Sequence, residues 1–417
     1  MPPATRLWPP SSRSPIADYA RLQTPQDLRS HEHQPALLDS IHGSVAVIHI
    51  HAPPVNSLGI ELRQSIVDRL RHALETANVG AIALIGSERA FAESAGLPVI
   101  VVDGDQRALD RGMAAIHDDY ERSVAKATMA RADMDRRLAG LRAVSDDGEI
   151  MACDLLIDAT AEPIDGRQRA IEDLALHAKQ GAILASSDSH ADLNRMANAT
   201  GRPQDMVGLH FFDPARLTRV IEVARCEETG VDVLATCLAF AKRLNKIAVS
   251  CGMSAGLIGD RMICHYFAVA KSLIERGVSS RQVDRVLTAF GMVAGPFATM
   301  ESIDGSSARA TEKGAIDRPG LDDAEVIDRC VYALANEGAR ILEEGIAVRS
   351  SDIDVISIHA CGFPAHRGGP MHYANEAGLE TVAAALKRLA ADAAPEESFW
   401  SVSPRLARLA AAKRAFS

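Results

Sequence analysis

Short apolar runs and stretches of helical periodicity alternate along the first 250 residues of the chain. Apolar runs predict strands at 45–51, 81–85, 99–102, 154–158, 182–185, 206–209 and 246–250. Apolar residues at helical spacing predict helices at 58–76, 89–94, 106–125, 130–141, 166–179 and 191–199. Strands that alternate with helices favour a Rossmann-like α/β fold with a doubly wound parallel sheet.

The pattern becomes almost entirely helical after residue 251. A long helix is predicted at 256–277. Gly295-Pro296-Phe297 and the loop at 304–322 divide this region into two parts of similar helix–turn–helix rhythm, which indicates a duplicated unit. We therefore predict an α/β domain at 81–251, followed by an all-α part with repeats at 252–310 and 311–417.

Composition narrows the class of protein. The chain has 417 residues, enough for two or three domains, and its 47% hydrophobic and 24% charged content is typical of soluble globular proteins. Aromatic residues make up only 4%, and the net charge is −10 without a basic block, which argues against nucleic acid as a partner. No run of 18 uncharged apolar residues occurs, so we expect no membrane span.

Cysteine usage and the N-terminal segment bear on the compartment. Seven cysteines, an odd number, occur without CxxC spacing, which favours reduced thiols in a cytoplasmic protein over a disulfide framework or a metal site. Cys153, Cys237 and Cys264 lie in apolar runs and are predicted to be core thiols. Residues 1–43 are rich in Pro, Ser, Arg and Gln and lack an apolar signal-peptide core, so we predict a disordered leader.

One pair of residues has the chemistry of a proton-transfer site. His210 ends a short apolar strand, and Glu222 follows twelve residues later inside the apolar run Val220–Val223. An imidazole titrates near neutral pH, and a buried carboxylate can fix its tautomer, so the two could form a general acid/base dyad. The alternative is a surface histidine after a strand and an unrelated strand glutamate.

Motifs on both sides of this pair resemble the 3-hydroxyacyl-CoA dehydrogenases, in the form found in multifunctional fatty-acid β-oxidation enzymes. The resemblance covers roughly residues 90–390, and the motifs occur in the family's order. They are Leu97-Pro98-Val99-Ile100-Val101-Val102-Asp103, Gly181-Ala182-Ile183-Leu184-Ala185-Ser186, Gly208-Leu209-His210-Phe211-Phe212-Asp213-Pro214, Gly295-Pro296-Phe297, Asn336-Glu337-Gly338-Ala339, Asp352-Ile353-Asp354 and Arg367-Gly368-Gly369-Pro370.

The resemblance implies a reaction and catalytic roles. The reaction is NAD-dependent oxidation of the 3-hydroxyl of an acyl-CoA to a 3-keto thioester. His210 would accept the hydroxyl proton, Glu222 would orient the imidazole, and Ser189 would contact the substrate hydroxyl. Asp260 stands where the family has a substrate-contacting asparagine. Because an ionised carboxylate cannot donate a hydrogen bond, it would disfavour negative charge on the substrate oxygen; the alternative is an ion pair with Arg261.

The resemblance also implies cofactor contacts. Asp103 closes the second Rossmann strand, where a carboxylate binds the ribose hydroxyls of NAD; the alternative is a strand-end turn aspartate before Gly104. Further contacts are expected from Gly86, Glu162, Arg167 and Asp213.

Two departures from the family pattern qualify these expectations. The phosphate turn Gly86–Ala90 has one glycine and carries Glu88, although backbone approach to a diphosphate requires several glycines. Residues 44–80 resemble the opening of an enoyl-CoA hydratase domain without room for its catalytic part, so we predict a remnant without hydratase activity. The alternative function is therefore a catalytically inactive acyl-CoA-binding or assembly protein; either form is expected to be a homodimer.

Overall fold

The structure is a computed structural model that describes residues 36–42, 45–50, 82–85, 97–103, 105–145, 147–159, 164–190, 192–212, 215, 218–304, 321–391, 393 and 397–417. The chain divides into two compact units, Met1–Val79 and Gly80–Ser417. The predicted helices at 58–76 and 89–94 and the proposed repeat boundary at 310–311 lie outside the described residues.

The first unit contains an antiparallel strand pair. Strand β1 (Ala36–His42) pairs with β2 (Val45–Ile50), from Ala36 opposite Ile50 to His42 opposite Val45. β2 agrees with the predicted strand, but β1 lies inside the segment predicted to be a disordered leader, so that prediction placed the start of order too late. The sequence signal for β1 is the apolar content of residues 37–41.

The second unit contains an eight-stranded sheet. Each of its strands except β5 coincides with a predicted strand or, for β9, with the apolar run at 220–223. The strands are β3 (Ile82–Ile85), β4 (Val99–Val102), β5 (Leu141–Val144), β6 (Leu155–Asp158), β7 (Ile183–Ser186), β8 (Met206–Phe211), β9 (Val220–Arg225) and β10 (Ile247–Cys251). The order across the sheet is β10-β9-β8-β7-β6-β3-β4-β5. The first strand of this unit, β3, lies inside the sheet, with β4 and β5 on one side of it and β6 to β10 on the other. The strand order therefore reverses between β3 and β6.

The sheet is parallel except at one pair. β8 and β9 are antiparallel, whereas a doubly wound parallel sheet was predicted. Only residues 212–219 connect these two strands. A parallel crossover needs a dozen or more residues, so a connection this short returns the chain antiparallel.

Helices cover both faces of this sheet. They are α1 (Gln106–Ala125), α2 (Arg131–Ala139), α3 (Ile164–His177), α4 (Leu193–Ala199) and α5 (Val231–Arg243), with 3-10 turns at Asp147–Ala152 and Pro203–Asp205. The bounds of α1 match the prediction. The helix predicted at 130–141 ends at Ala139 instead, and β5 begins at Leu141. The prediction did not separate the two elements because the four residues of β5 are too few to show a period.

The strands β4, β6 and β7 are buried on both faces, as expected for a covered parallel sheet. Along β4, Val99 and Val101 belong to one apolar layer and Ile100 and Val102 to the other. The second layer continues into the helical part.

Five of the seven cysteines are buried. Cys264 is exposed on the outer face of its helix, so its prediction as a core residue was wrong.

The described residues after β10 are mainly helical, as predicted. The helices are α6 (Leu257–Glu275), α7 (Ser280–Phe290), α8 (Pro296–Asp304), α9 (Asp323–Glu343), α10 (Ser350–His359), α11 (Pro370–Ala377), α12 (Leu379–Ala391) and α13 (Pro404–Ala411), with 3-10 turns at Ala365–Arg367 and Ser398–Trp400. Fourteen residues of the central helix α9 are buried.

The same capping arrangement occurs twice in this helical part. Asp284 of α7 accepts hydrogen bonds from the backbone of Phe297 and Ala298 at the start of α8, at 3.0 and 3.1 Å. Asp354 of α10 accepts them from Met371 and His372 at the start of α11, at 2.8 and 3.2 Å. In each case a Gly-Pro pair begins the capped helix. The duplicated unit that the sequence indicated stays a prediction, and we propose that these two caps are its equivalent positions.

Candidate active site

His210 and Glu222 face each other across the antiparallel pair. They are register partners in β8 and β9, and Nδ1 of His210 lies 2.7 Å from Oε2 of Glu222. An ionised carboxylate only accepts hydrogen bonds, so Nδ1 carries the proton and, in the neutral imidazole, Nε2 carries the lone pair. The predicted dyad is therefore present, and the antiparallel hairpin that the sequence analysis missed creates it.

The second oxygen of Glu222 binds the start of α6. Oε1 accepts hydrogen bonds from the backbone N–H groups of Ile258 and Gly259, at 2.9 and 3.0 Å, and the carboxylate is fully buried. These two groups belong to the first turn of the helix, where N–H groups lack intrahelical partners and the helix dipole favours negative charge. The helical part thus fixes the carboxylate that orients His210.

Phe212 links His210 to this helix turn. Its ring centroid lies 4.5 Å from that of His210. A Cβ atom at Gly259 would lie 2.4 Å from the same phenyl ring, so only glycine allows this close approach without displacement. The N-terminus of α6 therefore packs against the wall of the His210 site.

Ser189 and Asp260 are brought together next to this turn. The Ser189 hydroxyl donates a short hydrogen bond to Oδ2 of Asp260. His190 completes the cluster, with Nδ1 at 3.1 Å from the Ser189 hydroxyl and 3.7 Å from Oδ2 of Asp260. The alternative ion pair between Asp260 and Arg261 is not formed.

Arg261 instead ties α6 to α9. Its guanidinium donates to Glu337 from Nε at 2.8 Å and to Glu344 from Nη2 at 3.1 Å. Arg340 reaches the other oxygen of Glu337 at 3.2 Å. Burial lowers the pKa of His265, beside Glu337, to about 4, so this histidine adds no charge to the cluster. The ion pairs hold the first turn of α6 in place.

The reversal of strand order between β3 and β6 marks a second crevice. Ligands of open α/β sheets bind outside the carboxyl ends of the strands at such a reversal. Asp103 follows β4 at this edge, and its Oδ1 accepts the backbone N–H of Asp105 at 2.8 Å. The hydrogen bond is that of a strand-end turn and engages one carboxylate oxygen, which is compatible with a ribose contact through the other.

Arg167 also lies at this edge. Its guanidinium is 3.7 Å from Oδ2 of Asp158, which is fully buried at the end of β6, and 3.4 Å from Oδ2 of Asp188. The two carboxylates offset the charge of Arg167, and the ion pairs hold Asp158 and Asp188 together at this edge of the sheet. Sequence reasoning missed Asp158 and Asp188, although an acidic residue at a strand end was a usable signal. Of the predicted cofactor contacts, Gly86, Glu162 and Asp213 lie outside the described residues.

Comparison with known proteins identifies two regions of the chain. Residues 76–254 match the family model described as "3-hydroxyacyl-CoA dehydrogenase, NAD binding domain". Residues 326–415 match "3-hydroxyacyl-CoA dehydrogenase, C-terminal domain". The first region contains the sheet and the dyad, and the second contains most of α9 and the helices after it.

Curated relatives are 27–28% identical to this chain over the aligned residues. The "Peroxisomal bifunctional enzyme" of Danio rerio is 28% identical, and the alignment covers 76% of this chain and 53% of that protein. The "Fatty acid oxidation complex subunit alpha" of a Psychrobacter species is 27% identical, with coverage of 76% and 53%. The chain thus spans about half the length of these relatives.

Solved structures share the fold. The 3-hydroxybutyryl-CoA dehydrogenase of Escherichia coli K12 superposes with a TM-score of 0.68 at 18% identity, covering 81% of this chain and 99% of that one. The dehydrogenase part of a multifunctional enzyme of C. elegans gives a TM-score of 0.56 at 23% identity, covering 79% of this chain and 89% of that one.

Among the described helices, none combines the length and apolar character needed to cross a bilayer.

Proposed function

We propose that this chain, which belongs to the 3-hydroxyacyl-CoA dehydrogenase family, oxidises the 3-hydroxyl of an acyl-CoA thioester in fatty-acid oxidation. The observation that carries the proposal is the 2.7 Å contact between His210 and a buried Glu222 that is itself held by two backbone N–H groups. A general base must be fixed in one tautomer and one orientation to accept a proton efficiently. The relative named as the alpha subunit of a fatty acid oxidation complex supports the same pathway.

In this mechanism the protein residues move and position one proton. The substrate hydroxyl gives its proton to Nε2 of His210 as hydride leaves C3, and the imidazolium that forms is stabilised by Glu222 through Nδ1. The N–H groups of Ile258 and Gly259 keep the carboxylate charged and aligned. In the reverse direction the same Nε2 returns the proton to the carbonyl oxygen.

The described part of the crevice fits a nicotinamide dinucleotide at its ribose end. Asp103 lies at the carboxyl end of the second strand of the unit, where a carboxylate suits the ribose hydroxyls. When bound, NAD would supply the hydride acceptor. The match of residues 76–254 to an NAD-binding domain supports this cofactor.

A paired assay tests the proposal. Oxidation of NADH by acetoacetyl-CoA is followed at 340 nm for the wild type and for His210→Gln, with His117→Gln, at an exposed histidine on α1, as the matched control. We expect His210→Gln to lose about 10²–10⁴-fold in kcat, the usual contribution of a general base. Equal turnover of the wild type and His210→Gln would refute the assigned base.

A second candidate function is acyl-CoA binding or assembly without catalysis. The observation that favours it is the hydrogen bond from Ser189 to Asp260, because a hydroxyl engaged there cannot donate to the substrate. Fluorescence titration with NADH separates the two functions. Tight NADH binding would reject the non-catalytic candidate, whereas acyl-CoA binding without NADH binding would favour it.

Assembly and compartment remain proposals. We expect a homodimer that uses surfaces other than α9, since fourteen residues of that helix are already buried within one chain. Light scattering after gel filtration tests the homodimer by its molar mass.

The seven free thiols support a reducing compartment such as the cytoplasm. Localisation of a tagged chain would distinguish the cytoplasm from the peroxisome, the compartment in the name of one relative.

A further inference from the structure

The Ser189–Asp260 hydrogen bond leaves only acceptor atoms at this end of the site. A serine hydroxyl has a single proton, and Ser189 gives it to Oδ2 of Asp260. His190 Nδ1, at 3.1 Å, must therefore act as the donor to the Ser189 oxygen. What Ser189 and Asp260 can offer a ligand is one lone pair on Oγ and the carboxylate oxygen Oδ1.

Asp260 is placed to keep its negative charge. It lies in the first turn of the 19-residue helix α6, where the helix dipole favours an anion. Its side chain is 23% exposed, which lets a ligand reach it. Within the described ranges, the basic side chain that reaches it is the exposed His190, at 3.7 Å, because Arg261 is engaged by Glu337 of α9 and by Glu344 just after that helix.

The acceptors lie beside the dyad. Asp260 directly follows Gly259, whose N–H binds Glu222. The Cys361 thiol, which donates to the Gly259 carbonyl at 3.9 Å, has its pKa raised first by burial and then by the charges of Glu222 and Asp260 together. Cys361 therefore lies within reach of both carboxylates. In the tautomer fixed by Glu222, Nε2 of His210 is a further acceptor.

From this arrangement we infer that the site also takes acyl thioesters with an ammonium group at C3, and that Asp260 selects the charge. The inference rests on the proposed function, because it places the acyl thioester at the His210 site. An ammonium group has three donors and no acceptor, which matches one lone pair each from His210, Ser189 and Asp260. A hydroxyl group has one proton and can satisfy only one of the three. Its own lone pairs would also face a carboxylate.

The expected selectivity follows from the charge. Hydrogen bonds between ionised partners are about twice as strong as neutral ones, so a 3-ammonium ligand should bind roughly tenfold more tightly than its 3-hydroxy counterpart. Substitution of Asp260 by the neutral, similarly shaped asparagine should remove this preference. His190→Asn should increase it, because it removes a group that competes for the carboxylate.

Calorimetry without cofactor tests the inference independently of turnover. The full-length chain is titrated with three thioether analogues, of 3-aminobutyryl-CoA, 3-hydroxybutyryl-CoA and butyryl-CoA. The variants are Asp260→Asn and His190→Asn, with Asp118→Asn on the exposed face of α1 as the matched control. Thermal melts followed by circular dichroism show whether each variant is folded.

Each outcome is decisive. The inference predicts the amino ligand to bind at least about tenfold tighter than the hydroxy ligand in the wild type and in Asp118→Asn, and not in Asp260→Asn. A wild type that prefers the hydroxy ligand or binds both equally would overturn it, even if Asp260→Asn failed to fold. Equal binding of all three ligands overturns this inference alone. Failure of every acyl-CoA analogue to bind would overturn the proposed function as well.

Discussion

Replacement of Glu222 by glutamine is the sharpest single perturbation of the site. The carboxylate is fully buried and makes three hydrogen bonds, of 2.7, 2.9 and 3.0 Å. Glutamine keeps the shape but loses the charge, and only its one amide oxygen can accept. At least one backbone N–H or the imidazole Nδ1–H then faces an amide NH2 group instead of an acceptor.

The magnitude follows from these contacts. A hydrogen bond to a charged group contributes about 1.5–3 kcal/mol, and an unsatisfied buried donor costs about 1–3 kcal/mol. We therefore expect Glu222→Gln to lower the free energy of unfolding by roughly 2–4 kcal/mol. Truncation to alanine should be worse, at roughly 3–6 kcal/mol, because both N–H groups of α6 lose their acceptor.

Urea denaturation followed by circular dichroism measures this loss. Glu228→Gln is the matched control, since Glu228 is exposed just beyond β9, and it should change the free energy of unfolding by less than about 0.5 kcal/mol. Because the chain has two compact units, the transition to compare is that of the larger one. Equal midpoints for Glu222→Gln and Glu228→Gln would refute the claim that this carboxylate fastens α6 to the sheet.

Three further predictions concern the surrounding structure. Burial raises the pKa of Asp354 to about 6, above the unfolded value, so the native state binds more protons and stability falls as pH rises from 4 to 6. The stability advantage of the wild type over Asp354→Asn, from urea midpoints, should therefore shrink by about 1–3 kcal/mol between pH 4 and 7, and a constant difference would contradict it. Arg261→Met should cost about 1–3 kcal/mol, because the buried Glu337 loses the hydrogen bonds from Arg261 and keeps only its ion pair with Arg340. Glu344→Gln, at a 48% exposed side chain, should cost under about 1 kcal/mol in the same assay. Gly259→Ala should cost about 1–3 kcal/mol by thermal melt because its Cβ would overlap a phenyl ring, and a loss no larger than that of Gly140→Ala, where the nearest atom is 3.4 Å away, would argue against that contact.

Periodicity and motif order predicted most of the fold but not its antiparallel step. Helix α1 has a clear amphipathic period over twenty residues, and its predicted bounds agree with the structure. Strand β5 has four residues, too few to show a period, so it was merged with the preceding helix. The direction of β9 follows from the length of its connection to β8, a constraint that lies between the elements and not within either.

Sequence motifs located the dyad because His210 and Glu222 lie on two neighbouring strands, where the strand register fixes their positions relative to each other. They could not show what fixes Glu222, since its backbone donors come from α6, more than thirty residues away. The alternative ion pair between Asp260 and Arg261 is not formed for a related reason. Arg261 is its neighbour in sequence, but successive residues of a helix point about 100° apart, which turns Arg261 toward α9 and Asp260 toward Ser189.

Transfer of a labelled hydride tests the central claim most directly, namely that His210 and Glu222 serve a dehydrogenase reaction at C3. The chain is incubated with acetoacetyl-CoA and NADH deuterated at both C4 positions, and the acyl product is analysed by mass spectrometry. The proposed function predicts 3-hydroxybutyryl-CoA with one deuterium at C3 from the wild type, and at least about a hundredfold less from His210→Gln. Absence of the deuterated product from the wild type, or equal amounts from both proteins, would contradict it.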